Sequence, residues 1–267
     1  MRILLLAVMC ASTTITPAHA DQLRVLAAGS LREVVSDIGD CYKKATGIEV
    51  AAGFGPSGVL RERIEKGEKT DLFASADMGH PLKLLADGRA SRVAMFTRNA
   101  LCAFATPKVG LTQANFIDRL VDPTVKLGTS TPKADPAGDY TWLMFHRAEA
   151  LHQGAYAALD AKAQKIVGGP TPVSGDPVAE GFKSGTIDVM IGYCSGRERM
   201  AKAVPGLQAV EPPKEIAAGP EYGLAILGGA NPRTDDLALY LLSPEGQQVF
   251  AQYGFAPVGL PSPPPAQ

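Results

Sequence analysis

The feature that most constrains the fold is a regular alternation of short apolar runs with segments that carry apolar residues on one helix face. Residues 23–28 form the first apolar run, a Gly29-Ser30 turn follows, and residues 31–42 show helical spacing. The same order recurs at 48–66 and at 71–86. Strands that alternate with helices in this way predict βαβ units, and therefore an α/β fold with mainly parallel sheets.

A second series of the same kind begins near residue 100, and no long linker separates it from the first. Its predicted strands are 100–104, 125–128, 187–193 and 222–227, and its predicted helices are 114–120, one from Asp139, 178–182, and two between 234 and 253 divided near Pro244. Two series without a linker indicate two lobes joined by crossing strands. We assign residues 21–97 and 218–267 to lobe I and residues 98–217 to lobe II.

The first twenty residues have the features of a cleaved signal peptide. Arg2 precedes an apolar core at 3–11, and Ala18-His19-Ala20 supplies a small-residue cleavage site. Polar residues from Ser12 onward interrupt the core too early for a membrane anchor. We therefore predict export to the periplasm, and we expect the proline-rich tail 261–267 not to pack.

Charge and cysteine content exclude several function classes. The 26 basic and 27 acidic residues give a net charge of −1, which favours neither nucleic acid nor an acidic membrane as a partner. The sequence offers no ligand set for a cation and predicts no cofactor.

The exported chain contains three cysteines. Cys102 and Cys194 fall on strands that could be neighbours in lobe II, which predicts a disulfide between them. Separate buried thiols are the alternative, and Cys41 is the third thiol.

Three turns deliver small or hydroxyl residues from a strand end to a helix start. They are Ala28-Gly29-Ser30, Gly55-Pro56-Ser57-Gly58 and Asp135-Pro136-Ala137-Gly138. Helix starts expose unpaired N–H groups and a partial positive charge, so three that converge would form a cup for an oxyanion without lysine or arginine. The alternative at each turn is a serine that merely caps its helix.

The motifs around these turns resemble those of molybdate-binding proteins of ABC importers, which are type II periplasmic solute-binding proteins. The resemblance covers nearly the whole exported chain. It rests on Leu26-Ala27-Ala28-Gly29-Ser30-Leu31, Gly55-Pro56-Ser57-Gly58-Val59-Leu60, Thr70-Asp71-Leu72-Phe73-Ala74-Ser75-Ala76-Asp77, Pro136-Ala137-Gly138-Asp139-Tyr140, Leu242-Ser243-Pro244-Glu245-Gly246-Gln247 and Tyr253-Gly254-Phe255.

The resemblance implies a monomeric two-lobed protein that holds molybdate or tungstate in the cleft between its lobes and delivers it to an inner-membrane permease. By position, Ser30 and Ser57 would donate from one lobe, and the backbone N–H of Ala137, the backbone N–H of Val178 and the phenol of Tyr193 from the other. The protein would not coordinate the metal itself. Sulfate, thiosulfate, phosphate or an organic anion are alternative ligands, and a scaffold with a defunct pocket is a third class.

The sequence departs from the family pattern at the start of the predicted helix 178–182. Pro177 has no N–H, so either Val178 donates in its place or that contact is lost. Asp176 beside it would repel a fully deprotonated dianion, whereas hydrogen phosphate could use it as an acceptor. The alternative is that Asp176 only caps the helix and turns away from the anion.

A secreted serine hydrolase is the enzyme alternative. The segment Gly55-Pro56-Ser57-Gly58-Val59 lacks the final glycine of the nucleophile motif G-x-S-x-G. His80, His146 and His152 remain as partners, and none lies in the late position usual for this class. We therefore predict a binding protein and not an enzyme.

Overall fold

The computed structural model describes residues 22–168 and 175–259, which form two mixed β-sheets flanked by helices. The strands are β1 (Leu23–Ala28), β2 (Val50–Gly55), β3 (Leu72–Ser75), β4 (Ala90–Arg98), β5 (Leu101–Ala105), β6 (Leu127–Ser130), β7 (Gln164–Val167), β8 (Val189–Tyr193), β9 (Gln208–Val210), β10 (Glu221–Leu227) and β11 (Ala256–Pro257). The helices are α1 (Arg32–Thr46), α2 (Ser57–Glu65), α3 (Gly79–Ala86), α4 (Phe116–Val121), α5 (Pro136–Glu149), α6 (Ala155–Lys162), α7 (Pro177–Lys183), α8 (Arg197–Ala203), α9 (Thr234–Leu242) and α10 (Pro244–Gln252).

The first sheet has the order β11-β4-β10-β3-β1-β2, and the second has the order β7-β6-β8-β5-β9. In the first, β1 runs parallel to β2 and β3, whereas β10 runs antiparallel to β3 and β4. In the second, β6 runs parallel to β7 and β8, whereas β5 runs antiparallel to β8 and β9. The predicted α/β fold with two lobes is confirmed.

The sheets are mixed where mainly parallel ones were predicted, because the chain crosses twice between them. It passes from β4 into β5 and returns from β9 into β10, and these crossing strands add the antiparallel pairs. We call the half built on the first sheet lobe I and the half built on the second lobe II. The predicted lobe boundaries at 97/98 and 217/218 stay a prediction.

The N-terminal βα unit shows why this sequence forms these elements. All of β1 except one position is buried, and α1 turns Val34, Val35, Ile38 and Tyr42 toward the core. The helix ends at Gly47, whose backbone φ of 77° lies in the left-handed region that glycine adopts without strain. Burial of one apolar face against the sheet thus fixes both the helix and its orientation.

Several elements carry no clear sequence signal. Strand β4 mixes buried and exposed residues without alternation, so it lacks the period-two pattern of a half-buried strand. The α6–β7 pair and the α8–β9 pair are short and were not predicted either. Their formation depends on tertiary partners rather than on local pattern.

The predicted disulfide between Cys102 and Cys194 is confirmed, with 5.0 Å between the two Cα atoms. The reason is the register of the antiparallel pair β5–β8, in which Cys102 lies opposite Gly192 and Leu101 opposite Tyr193. The bridge therefore links the start of β5 to the residue that follows β8. Cys41 is a free, exposed thiol.

The predicted signal peptide, residues 1–20, lies outside the described residues, and so does the tail 261–267. In the part of the chain that the structure describes, every helix is too short or too polar to cross a bilayer.

Candidate functional site

A cavity of about 520 Å³ lies between the two lobes and is lined by residues from both. From lobe I come the carboxyl ends of β1 and β2 with the helix starts that follow them. From lobe II come the starts of α5 and α7 and the end of β8. The five residues proposed from sequence as ligand contacts all line this cavity, namely Ser30, Ser57, Ala137, Val178 and Tyr193.

Ser57 is the first residue of α2 and is 1% exposed. Its Oγ accepts a hydrogen bond from the backbone N–H of Ala76 at 3.0 Å. A hydroxyl has one donor and two acceptor positions, so this contact fixes the oxygen and leaves the proton available. Ser57 is therefore held as a donor at the cavity wall, and it does not cap its own helix.

Ser30 is held by a chain of polar groups. The Asn99 carboxamide oxygen accepts from the backbone N–H of Ala100 at 2.9 Å, which orients the amide so that its Nδ2 group donates to the Tyr222 phenol oxygen at 3.3 Å. The Tyr222 hydroxyl lies 3.0 Å from Ser30 Oγ. Either hydroxyl can be the donor in this contact, and in the arrangement where Tyr222 donates to Ser30 the Ser30 proton is available to the cavity.

Tyr193 ends β8 with a hydroxyl that has no hydrogen-bond partner among the described residues, although the atom is buried. Its ring packs 5.7 Å from the ring of Tyr222, centroid to centroid. Burial is the largest cause that raises the pKa of Tyr193 well above its ordinary value, so the phenol is a neutral donor. A buried hydroxyl without a hydrogen bond lowers the stability of the fold, so this atom is a candidate to donate to a bound ligand.

The two helix starts that lobe II contributes to the cavity, those of α5 and α7, are each capped by an aspartate. Asp135 caps α5, and its Oδ1 accepts from the Ala137 N–H at 3.1 Å. Burial, the largest cause, and the nearby carboxylates Asp139 and Asp77 raise the pKa of Asp135. The N–H that the family resemblance assigns to the ligand is thus already paired in this structure.

Asp176 caps α7 in the same way. Its Oδ1 accepts from the N–H groups of Val178 and Ala179, both at 3.1 Å. Its Oδ2 forms an ion pair with Arg199 at 2.5 Å. The prediction that Asp176 caps the helix is confirmed, and its charge is balanced by Arg199, but the residue also lines the cavity. That it turns away from the anion stays a prediction. The N–H of Val178 is paired to this carboxylate rather than left open.

The sequence analysis placed Asp176 near the ligand but did not predict the two arginines that line the cavity. Arg32 of α1 stands over the Phe54 ring at 4.6 Å, and Arg199 belongs to the short, unpredicted α8. Asp135 had a readable signal, since an aspartate directly before a Pro-Ala helix start is typical of an N-cap. Tyr222 and Asn99 carried no signal because their roles depend on contacts distant in sequence.

The lobes also approach each other beside the cavity at Gly58. The N–H of Gly58 in α2 donates to the carbonyl oxygen of Ala134 at 3.1 Å. A Cβ atom at position 58 would lie 2.4 Å from the carbonyl oxygen of Lys133, which is closer than atoms can pack. Glycine is therefore required here for the two lobes to approach each other.

Comparison with known proteins shows the family. The chain belongs to the bacterial extracellular solute-binding proteins, whose family model matches residues 23–256. An uncharacterized protein of Pasteurella multocida is 36% identical over 241 residues, which cover 88% of this chain and 98% of that one. The molybdate-binding protein ModA of Escherichia coli is 29% identical over 252 residues, which cover 89% and 90% of the two chains.

Among solved structures, the periplasmic molybdate-binding protein of Azotobacter vinelandii has a TM-score of 0.72 at 18% identity. The match covers 90% of this chain and 100% of that chain. At this identity the likeness shows the fold, which is that of a type II periplasmic binding protein. The resemblance to molybdate-binding proteins noted from the motifs is confirmed.

Proposed function

We propose that this protein captures molybdate or tungstate in the periplasm and delivers it, as a monomer, to the permease of an ABC importer. The observation that carries the proposal is a cavity between the lobes that is lined by Ser30, Ser57 and Tyr193, whose buried phenol has no hydrogen-bond partner among the described residues. The identity over nearly full length to a protein named as molybdate-binding supports the choice of ligand.

Neutral groups are suited to this task if there are enough of them. A dianion loses its hydration shell on entering a cleft, and every lost hydrogen bond to water must be replaced by a protein donor. Ser30, Ser57 and Tyr193 can each present a proton to the cavity. Donors divided between two lobes favour the closed arrangement, because the oxygens of the anion are all satisfied only when both lobes contact it.

Binding rather than catalysis is supported by the surroundings of Ser57. The described residues that line the cavity include no histidine, and Ser57 Oγ accepts from a backbone N–H instead of donating to a base. A serine nucleophile needs a general base within hydrogen-bond reach. The hydrolase alternative therefore has no support at this site.

Calorimetric titration of the exported chain with molybdate, tungstate, sulfate and phosphate, in a buffer free of these ions, tests the proposal. We expect saturable one-to-one binding of molybdate and tungstate that is tighter than that of sulfate. Binding of sulfate or phosphate alone would reassign the ligand within the oxyanions. Absence of binding by all four would overturn the proposal.

A further inference from the structure

Asp135 is a carboxylate at the cavity wall that has no cation paired to it in the described chain. Glu33 also lines the cavity without an ion pair, but its side chain is exposed to solvent. Asp176 is paired to Arg199, whereas Asp135 makes no ion pair with any described residue. The titratable groups that act on it are the nearby carboxylates of Asp77 and Asp139, which do not line the cavity, and the phenols of Tyr193 and Tyr222.

The carboxylate of Asp135 lies close to where the anion would bind. Its Oδ1 is committed to the Ala137 N–H, and the side chain lines the same cavity as the unpartnered Tyr193 hydroxyl. An anion that reaches Tyr193 and the start of α5 therefore comes close to this carboxylate. Two negative groups in a poorly hydrated site repel each other strongly unless a proton lies between them.

We propose that Asp135 is a specificity-determining residue that makes the oxyanion bind together with one proton, shared between the Asp135 carboxylate and an oxygen of the ligand. This inference rests on the proposed oxyanion function. The proton has two possible sources. A fully deprotonated ion such as molybdate requires Asp135 to take it from solution, whereas hydrogen phosphate brings its own and offers it to the carboxylate.

The sign of the pH dependence follows from linkage. A bound dianion raises the pKa of Asp135 above its value in the empty protein, so molybdate binding takes up a proton. Affinity for molybdate is then highest below the pKa of the empty state. It falls by up to about tenfold per pH unit as the pH rises from that value to the pKa of the bound state.

The test is calorimetric titration with sodium molybdate and with sodium phosphate from pH 5 to 9, each in two buffers of different ionisation enthalpy, which gives the number of protons taken up. Wild-type protein is compared with Asp135→Asn, since asparagine caps a helix as well as aspartate but cannot titrate. Should that variant fail to fold, Asp135→Ser replaces it. Asp118→Asn, an exposed aspartate on α4, is the matched control.

We expect wild-type protein and Asp118→Asn to take up close to one proton per molybdate near neutral pH. We expect them to take up none per phosphate at the alkaline end of the range, where hydrogen phosphate is the main free species. In Asp135→Asn the uptake disappears, the molybdate affinity becomes independent of pH, and it exceeds the wild-type affinity at pH 9 by about tenfold or more. Equal proton counts and pH profiles in wild type and Asp135→Asn would overturn the proposal while leaving oxyanion binding intact. Absence of binding by wild type at every pH would overturn both proposals.

Discussion

The two lobes present their helix starts to the cavity in opposite ways. In lobe I, the starts before α1 and α2 have no side-chain cap, and the nearby serine hydroxyls are fixed by groups behind them. In lobe II, Asp135 and Asp176 cap α5 and α7 and pair with the N–H groups of Ala137 and Val178. The serine hydroxyls of lobe I are thus available as donors, whereas the N–H groups of Ala137 and Val178 in lobe II must first leave the aspartates that accept from them. The available donor of lobe II is the phenol of Tyr193.

This difference shows how one residue can change a site whose motif is otherwise intact. The segment Pro136-Ala137-Gly138 matches the family pattern, yet the aspartate before it competes for the N–H that the pattern assigns to ligand. A carboxylate is a stronger acceptor than a neutral oxygen. If the proposed function holds, we therefore expect ligand selectivity in lobe II to depend on the capping residue as much as on the motif.

The two lobes also differ in that the disulfide lies in lobe II, and its removal should have the largest effect of the changes considered. Replacing Cys102 and Cys194 together with serine should lower the free energy of unfolding by about 2–4 kcal/mol, since the unfolded chain gains freedom. Chemical denaturation of wild type and variant measures the difference. Thiol titration of the denatured, unreduced exported chain should find one free thiol, Cys41, and a count of three would contradict the bridge.

Removal of a preset donor from lobe I should have the next largest effect. Ser57→Ala deletes a buried hydroxyl whose proton is available to the ligand, which should cost about 1–3 kcal/mol of binding free energy, or roughly 5- to 150-fold in Kd for molybdate. Calorimetry checks this against Ser36→Ala, the same change on the exposed side of α1. Equal affinities in the two variants would remove Ser57 from the site.

A smaller effect should follow when the donor Ser30 is kept but the Tyr222 hydroxyl that contacts it is removed. Tyr222→Phe removes the phenol that orients Ser30, which should weaken molybdate binding by about 0.5–1.5 kcal/mol, a change of roughly 2- to 13-fold. Tyr240→Phe, on the α9 face away from the cavity, is the control. If Kd stays at the wild-type value while thermal stability falls, Tyr222 serves packing and not the site.

The smallest effect on molybdate binding should come from a change at Asp176, whose carboxylate is paired to Arg199. Asp176→Asn keeps the cap of α7 and releases Arg199 from its ion pair, so molybdate affinity should rise by less than about fivefold, as expected for a solvent-exposed pair worth about 0.2–1 kcal/mol. Calorimetry measures the change. A loss of more than tenfold would instead make Asp176 an acceptor for a protonated ligand.

Much of this arrangement is predictable from sequence, because strand–turn–helix units put their turns at one edge of a sheet. The apolar periodicity places β1, α1, α2, α9 and α10 close to their observed bounds, and the motifs locate Ser30, Ser57 and Tyr193 at one cavity. Local pattern does not reveal the crossing strand β4, whose burial depends on both neighbours, or the Asn99–Tyr222–Ser30 chain, which joins residues remote in sequence.

The most direct test of the central claim is the position of tungsten in crystals grown with tungstate, located by its anomalous scattering. The account predicts one strong peak in the interlobe cavity, with the oxygens of Ser30, Ser57 and Tyr193 about 2.5–3.0 Å from the tungstate oxygens. A peak elsewhere, or a cavity without one at saturating tungstate, would contradict it.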